Sequence, residues 1–230
     1  MNFRYDNGVI LRGDTLPPTG PALLVLNGSP NFLQAAAVTA ALERPVRCVL
    51  PEEECRGFAQ RWLAARLGMI VHGPDPPSQV AATAAARGAL RNREAVAIFA
   101  APEIARSEAL SPSCLSIAKL VVEVESGRAG GPGTVIVPLH VLNSFGSTPA
   151  REMLMTAGEP LVARGFLGGT SGDASMRTLA GELENRLTDN PYRLQERDVQ
   201  FFLVDLEQIL RADLKEEWDK TPNWKQKTEG

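Results

Sequence analysis

"LLVLNGSPNFLQAAAVTAAL", Leu23 to Leu42, is the stretch whose reading decides the fold. Ala22 to Leu26 is short, apolar and closed by turn residues, so it reads as a buried strand. Gly28, Ser29, Pro30 and Asn31 make a turn, and the alanine-rich run from Phe32 to Leu42 reads as a helix. Strand, tight turn and helix together have the outline of an enzyme's active-site entry. Yet none of the four turn residues is a good general base.

Outward from this unit the pattern repeats. "PVRCVLP" (Pro45 to Pro51) is a second strand closed by proline. "EEECRGFAQRWLAARLG" follows as a helix, with Phe58, Trp62, Leu63 and Leu67 at helical spacing, acids at its start and Gly68 at its end. Met69 to Val71 is a third strand. "PPSQVAATAAARGALRNRE" is a helix with prolines before its first turn, and Ala95 to Phe99 is a fourth strand. Ile117 to Val124 is β-branched enough to hold a fifth strand, although Leu115 to Ala118 could instead close a helix. Thr134 to Leu142 carries the strongest strand signal. Glu152 to Val162 gives one more strand, interrupted at Gly158-Glu159-Pro160, and Ala174 to Leu187 is a helix. Strands alternating with helices predict an α/β fold, its central sheet mostly parallel or mixed and flanked by helices.

After Thr170 the character changes. The expected division is an α/β domain over residues 1–190 and a C-terminal amphipathic helix with a polar tail over 191–230. Val199, Phe202, Leu203, Leu206, Ile209, Leu210 and Leu214 line one face of that helix. Asp205, Glu207, Asp213, Glu216 and Glu217 on its polar side would be repelled by anionic headgroups. Packing onto the sheet or onto a partner protein is therefore the expectation.

The chain has 230 residues, 44% hydrophobic and 22% charged, the composition of a soluble globular protein. A net charge of -3 and a pI near 5.6 argue against a nucleic-acid partner. Cys48, Cys55 and Cys114 are odd in number and lack metal-ligand spacing, so reduced cytosolic thiols are expected and no metal. Met1 to Asp6 is charged and followed by no long apolar run, and no segment approaches the ~20 apolar residues of a membrane span. The expected location is cytoplasmic, with any membrane contact peripheral.

Several blocks carry a resemblance to a known family. "GPALLVLNGSPNFLQ" resembles the first signature of the glycerophospholipid acyltransferases, the lysophosphatidic acid acyltransferase family. "RLGMIVHG" resembles the second block, "AIFAAPEIARS" the third, "VIVPLHV" with Pro138 the fourth, and "TAGEPL" the Gly-x-Pro strand after it. The match runs from about Asp14 to Leu187. It implies an acyltransferase-like fold in which a His acts as general base on a glycerol hydroxyl, oriented by an Asp five positions on. Those two positions fall here on Gly28 and Leu33, and Gln34 is the nearest polar residue. The resemblance also implies a substrate-binding set of Asn27, Gly28, Ser29, Glu103, Arg106 and Ser107. Arg106 would hold the acceptor's phosphate through a forked contact, while Ile104 replaces the block's glycine. No cofactor is implied; acyl-CoA or an acyl-carrier protein enters as acyl donor only if the chain is active.

Glycine has no titratable group, so a catalytic reading needs a base from elsewhere. His140 and His72 are the two histidines. A structural or surface histidine is the plainer reading of each, and a helix cap or ion pair that of Glu103. Ser29 lacks the Gly-x-Ser-x-Gly context of a nucleophile elbow. Cys55 follows three acids that would raise its pKa. Arg56, Arg61, Arg66, Arg87, Arg91 and Arg93 suggest a basic face toward anionic lipid or an acyl-carrier partner, with ordinary solvated helix faces as the plainer reading. Three functions stay open: a catalytically degenerate module that keeps a lipid, acyl or phosphate groove or a protein partner; an active acyltransferase with His140 or His72 as relocated base; and a structural interaction domain without ligand.

Overall fold

A computed structural model describes residues 3–6, 9–12, 17–42, 44–100, 110–128, 130–143, 153–167 and 172–188. In chain order these form β1 (Phe3–Asp6), β2 (Val9–Arg12), β3 (Ala22–Asn27), α1 (Phe32–Ala41), β4 (Val46–Pro51), α2 (Phe58–Arg66), β5 (Ile70–His72) and α3 (Pro76–Arg91). Then come β6 (Ala95–Ala100), α4 (Pro112–Ser126), β7 (Val135–Asn143), β8 (Met153–Ala157), β9 (Leu161–Val162) and α5 (Gly172–Thr188). Short 3-10 turns span Glu52–Cys55 and Ala163–Phe166.

The strands join in one mixed sheet of order β1-β2-β8-β7-β3-β6-β4-β5, with β9 also on β7. From β7 to β5 every neighbouring pair is parallel. Antiparallel pairing enters through β1 on β2, β8 on β7 and β9 on β7. The expected α/β sheet flanked by helices is the one observed.

β3 sits at the centre, and alternation along it divides the core. Leu23 and Val25 pack with Val96, Ile136 and the buried faces of α3, α4 and α5. Ala22, Leu24 and Leu26 pack on the other side with Ala97, Leu139, Cys48 and α1. A strand covered on both faces can be apolar throughout, which is why "ALLVL" shows no polar alternation.

Local sequence explains the starts of α1 and α3. Asn31 caps α1, its side chain accepting from Leu33 N at 2.9 Å and Gln34 N at 3.3 Å. Asp75 caps α3 by accepting from Ser78 N at 2.9 Å, with Pro76 and Pro77 in the first turn, where their missing N–H groups cost nothing.

Three expectations change. The strand expected over Ile117 to Val124 is instead the middle of α4. Cys114, Ile117, Ala118, Leu120, Val121 and Val124 are all buried at helical spacing, and packing of that face overrides β-branched propensity. The helix expected from Glu52 splits into the 3-10 turn and α2, and only half of its apolar stripe, Leu63 and Leu67, packs against the core. Ala64 is buried while Phe58 is 87% and Trp62 60% exposed. The hairpin β1–β2 was not foreseen. The interruption at Gly158-Glu159-Pro160 does separate β8 from β9.

One ionic network ties the far ends of these elements. Glu125, near the end of α4, has no exposed side-chain surface. Its Oε1 accepts from Thr134 N at 2.9 Å, Thr134 Oγ1 at 2.7 Å and Arg128 Nη1 at 2.9 Å, and its Oε2 from Arg164 Nε at 3.2 Å. Burial pushes the carboxyl's pKa up, but the Thr134 hydroxyl and amide, Arg164 and Arg128 together hold it below the ordinary value. The network locks α4 to the residue before β7.

The described residues all lie within one compact unit, Met1–Asn190. The expected boundary near 190 and the amphipathic helix from Asp198 fall outside the described residues. No helix among the described residues is long and apolar enough to cross a membrane.

Candidate functional site

The turn after β3 lies at the carboxyl rim of the parallel strands, the rim where open α/β sheets carry their ligands. Register places Asn27 beside Ala100 of β6 on one side and beside His140 of β7 on the other. Gly28 N donates to Ala100 O at 3.0 Å, which fixes the start of the turn. Gly28 has φ +133°, a region open to glycine and strained for a residue with a Cβ. A Cβ built there would meet no atom within 4 Å. The position is spacious, and the restriction on it comes from the backbone.

Leu33 is 55% exposed, with its amide on the Asn31 cap. An exposed apolar side chain here has no means of orienting an imidazole. Gln34, one residue on, is partly buried, and its Oε1 is shielded from solvent with no hydrogen-bond partner. Ser29 is exposed and, among the described residues, has no histidine or carboxylate hydrogen-bonded to it.

Asn27 has another task. Its Nδ2 donates to Leu187 O at 3.3 Å, satisfying one of the orphan carbonyls at the end of α5. Alternation along β3 puts Asn27 on the α4–α5 face with Leu23 and Val25. His140 shares that face, since Ile136, two turns of the pleat earlier, belongs to the same core. On the far side of His140 the antiparallel register sets Thr156, and β2 brings Arg12 to the next position in the same row. Asn27, His140 and Thr156 thus form a polar row across three adjacent strands. Two of its members are buried, His140 at 3% exposed and Thr156 at 8%, and Thr156 Oγ1 has no hydrogen-bond partner among the described residues, while Asn27 is partly buried.

His72 is elsewhere. It ends β5 at the sheet's edge, its Nδ1 3.0 Å from Gly73 O. Three strand spacings separate β5 from β3, roughly 14 Å. The two histidines are therefore unequal, since the fold brings His140 to the turn's neighbour strand and leaves His72 remote.

The thiols are all buried. Burial raises Cys48 and Cys114 to about 11. Burial and Glu54 raise Cys55 against the opposing charge of Arg61. None is a thiolate at neutral pH, so none is an activated nucleophile. Among the described residues no group of three or more His, Cys, Asp and Glu is arranged to hold a metal ion. Glu103, Arg106 and Ser107 lie outside the described residues. The six arginines do not act as one face. Arg61 donates to Cys55 O at 3.1 Å, Arg87 pairs with Glu123, and Arg66 and Arg93 meet at the opposite rim of the sheet.

Sequence reasoning missed Gln34 as a shielded acceptor and Thr156 as His140's neighbour. Thr156 arrives through an antiparallel register that no local pattern encodes. Gln34 was seen only as a polar residue near the expected aspartate.

No family model matches the chain, and no curated protein matches it. Among solved structures, the 1-acyl-sn-glycerophosphate (LPA) acyltransferase PlsC from Thermotoga maritima matches over 83% of this chain and 75% of that chain, at 14% identity and a TM-score of 0.51. At that identity the likeness is one of architecture: the chain has an acyltransferase-like α/β fold.

Proposed function

We propose that this chain is a catalytically degenerate acyltransferase-like module, binding a lipid, acyl or phosphate-bearing ligand or a partner protein without transferring the acyl group. The observation that carries the reading is the glycine-only backbone at Gly28, where the resemblance would seat the general base. General acid–base catalysis is typically worth ~10²–10⁴-fold, so a site without it keeps positioning alone. The shielded, unpartnered Oε1 of Gln34 beside the turn supports a ligand with a donor group there, since buried polar atoms are normally satisfied. Arg106 would contribute a phosphate contact. The module would work in the cytoplasm, peripheral to a membrane if it meets one, with Phe58 and Trp62 the most exposed aromatic side chains among the described residues.

The test is acyl transfer from acyl-CoA to lysophosphatidic acid by the purified chain, expected to stay at the uncatalysed rate. In parallel, glycerol 3-phosphate or a short-chain lysophosphatidic acid should raise the melting temperature. Ligand held only by the folded state adds ~2.7 kcal/mol at a hundredfold excess over its Kd. Absence of any shift would favour a structural domain without ligand.

A second reading, an active enzyme with His140 as relocated base, is favoured by one observation, the register of His140 with Asn27. Its burial speaks against access to a substrate hydroxyl. Turnover abolished by His140→Ala would replace the first reading with this one.

A further inference from the structure

At the rim opposite the Gly28 turn, where the parallel strands begin, the surface opens into a groove of about 610 Å³. Four arginines line it, Arg44, Arg47, Arg66 and Arg93, against one carboxylate among the described residues, Glu94. In a chain of net charge -3 this is a local inversion of sign.

The four are not equivalent. Arg47 holds Glu94 at 2.6 Å, so those two charges cancel. Arg44 donates to the carbonyls of Pro17 at 2.9 Å, Gly20 at 2.7 Å and Arg93 at 3.2 Å. Bonds to carbonyls hold a guanidinium in place without neutralising it. Arg66 and Arg93 are exposed and have no carboxylate partner among the described residues. Three uncancelled positive charges thus converge on one concavity.

Arg93 adds an independent observation. It has φ +63°, the one non-glycine residue at positive φ among those described. Glycine or asparagine would take that conformation at lower cost. The side chain bought at that cost makes no ion pair among the described residues. Nor is it needed to match the negative end of α3, because Arg91 already occupies that helix's last turn. The backbone angle itself closes α3 in a Schellman cap, Arg93 N donating to Leu90 O at 3.1 Å and Glu94 N to Ala89 O at 3.0 Å. The cap accounts for the conformation but not for an arginine where the end of α2 uses Gly68, and that choice of side chain is what points to a ligand.

We propose that this groove binds a phosphate group, with Arg66 and Arg93 as direct contacts and Arg44 as the residue that positions the Arg93 loop. The forked guanidinium matches a tetrahedral oxyanion, and a multiply charged anion is what several uncancelled arginines suit. The volume falls in the ~300–1,000 Å³ range of small-molecule sites. Lying at the other end of the strands, the site does not depend on the reading of the Gly28 turn.

The test uses the full chain, titrated calorimetrically with inorganic pyrophosphate at low salt and floated with vesicles of phosphatidic acid or of phosphatidylcholine. Arg93→Gly removes the charge and relieves the backbone, so the variant should be at least as stable as wild type. Arg93→Gly and Arg66→Gln should each weaken binding about tenfold and flatten its salt dependence. Arg91→Gln removes an equal charge outside the groove and should leave affinity unchanged. Pyrophosphate binding lost in the two groove variants identifies a soluble phosphate ligand. Binding only to phosphatidic acid vesicles, with the same losses, identifies a lipid phosphate. Binding to neither probe, or an equal loss in Arg91→Gln, overturns the site.

Discussion

Gly28→His restores the side chain that the family resemblance asks for, and it tests whether the departure lies in the side chain alone or in the backbone. With nothing within 4 Å of the built Cβ, collision contributes no cost. The cost is conformational: at φ +133° a residue with a Cβ is strained by about 1–3 kcal/mol. If the turn flips to negative φ, it escapes the strain but loses the 3.0 Å bond from Gly28 N to Ala100 O, worth about 0.5–1.5 kcal/mol net, and displaces the Asn31 cap. By either route the melting temperature should fall by roughly 3–10 °C for a domain of this size. Gly28→Ala should fall by a similar amount, because the Cβ and not the imidazole is the cause. Thermal unfolding followed by circular dichroism measures both. Acyl transfer by Gly28→His combined with Leu33→Asp should stay at background, since the Leu33 position is 55% exposed and an aspartate there would be solvated rather than aimed. A Gly28→Ala variant that melts with wild type, or turnover in the double variant, refutes the reasoning.

Two further outcomes follow from buried groups. Glu125→Ala should cost about 3–5 kcal/mol in urea unfolding at pH 7, because it leaves Thr134 and Arg128 without their acceptor. The Glu125 carboxyl titrates below its ordinary value in the folded chain. Its charge therefore stabilises fully above the unfolded pKa of ~4.3 and ceases to do so as pH falls through the lower folded value. The stability gap between wild type and Glu125→Gln should shrink below about pH 4; a gap constant from pH 7 to pH 3 would contradict the network's role. The thiols of Cys48 and Cys114, raised to about 11 and buried, should react with a disulfide reagent at pH 8 only after unfolding. Rapid reaction of either in the native chain would contradict the packing.

Much of this architecture was legible because its strands are apolar runs bounded by turn residues. "ALLVL", "VRCVLP" and "AVAIF" read as buried strands, and the prolines Pro76 and Pro77 mark the start of α3. The failure at Ile117 to Val124 has a physical cause. β-branched residues favour strands only when packing is undecided, and here a helical face is buried against α5 and the sheet. The weak N-terminal strands leave no strong pattern in four residues each. At the turn, the identity of Gly28 was visible but its backbone angle was not. His140 was one of two equal histidines until the sheet order separated them, since order among parallel strands is set by long-range packing.

The central strand also carries a kinetic consequence. β3 is paired on both edges and completely buried from Ala22 to Leu26, yet both partners, β6 and β7, follow it in the chain. A ribosome adding about 5–20 residues per second takes roughly 5–20 s to make the hundred or so residues between β3 and β7. Until β6 is made, the greasiest pentapeptide of the nascent polypeptide has neither partner, and from then until β7 one of its edges stays open. An apolar strand with an open edge during synthesis is the place where a non-native strand can pair before the native partners arrive.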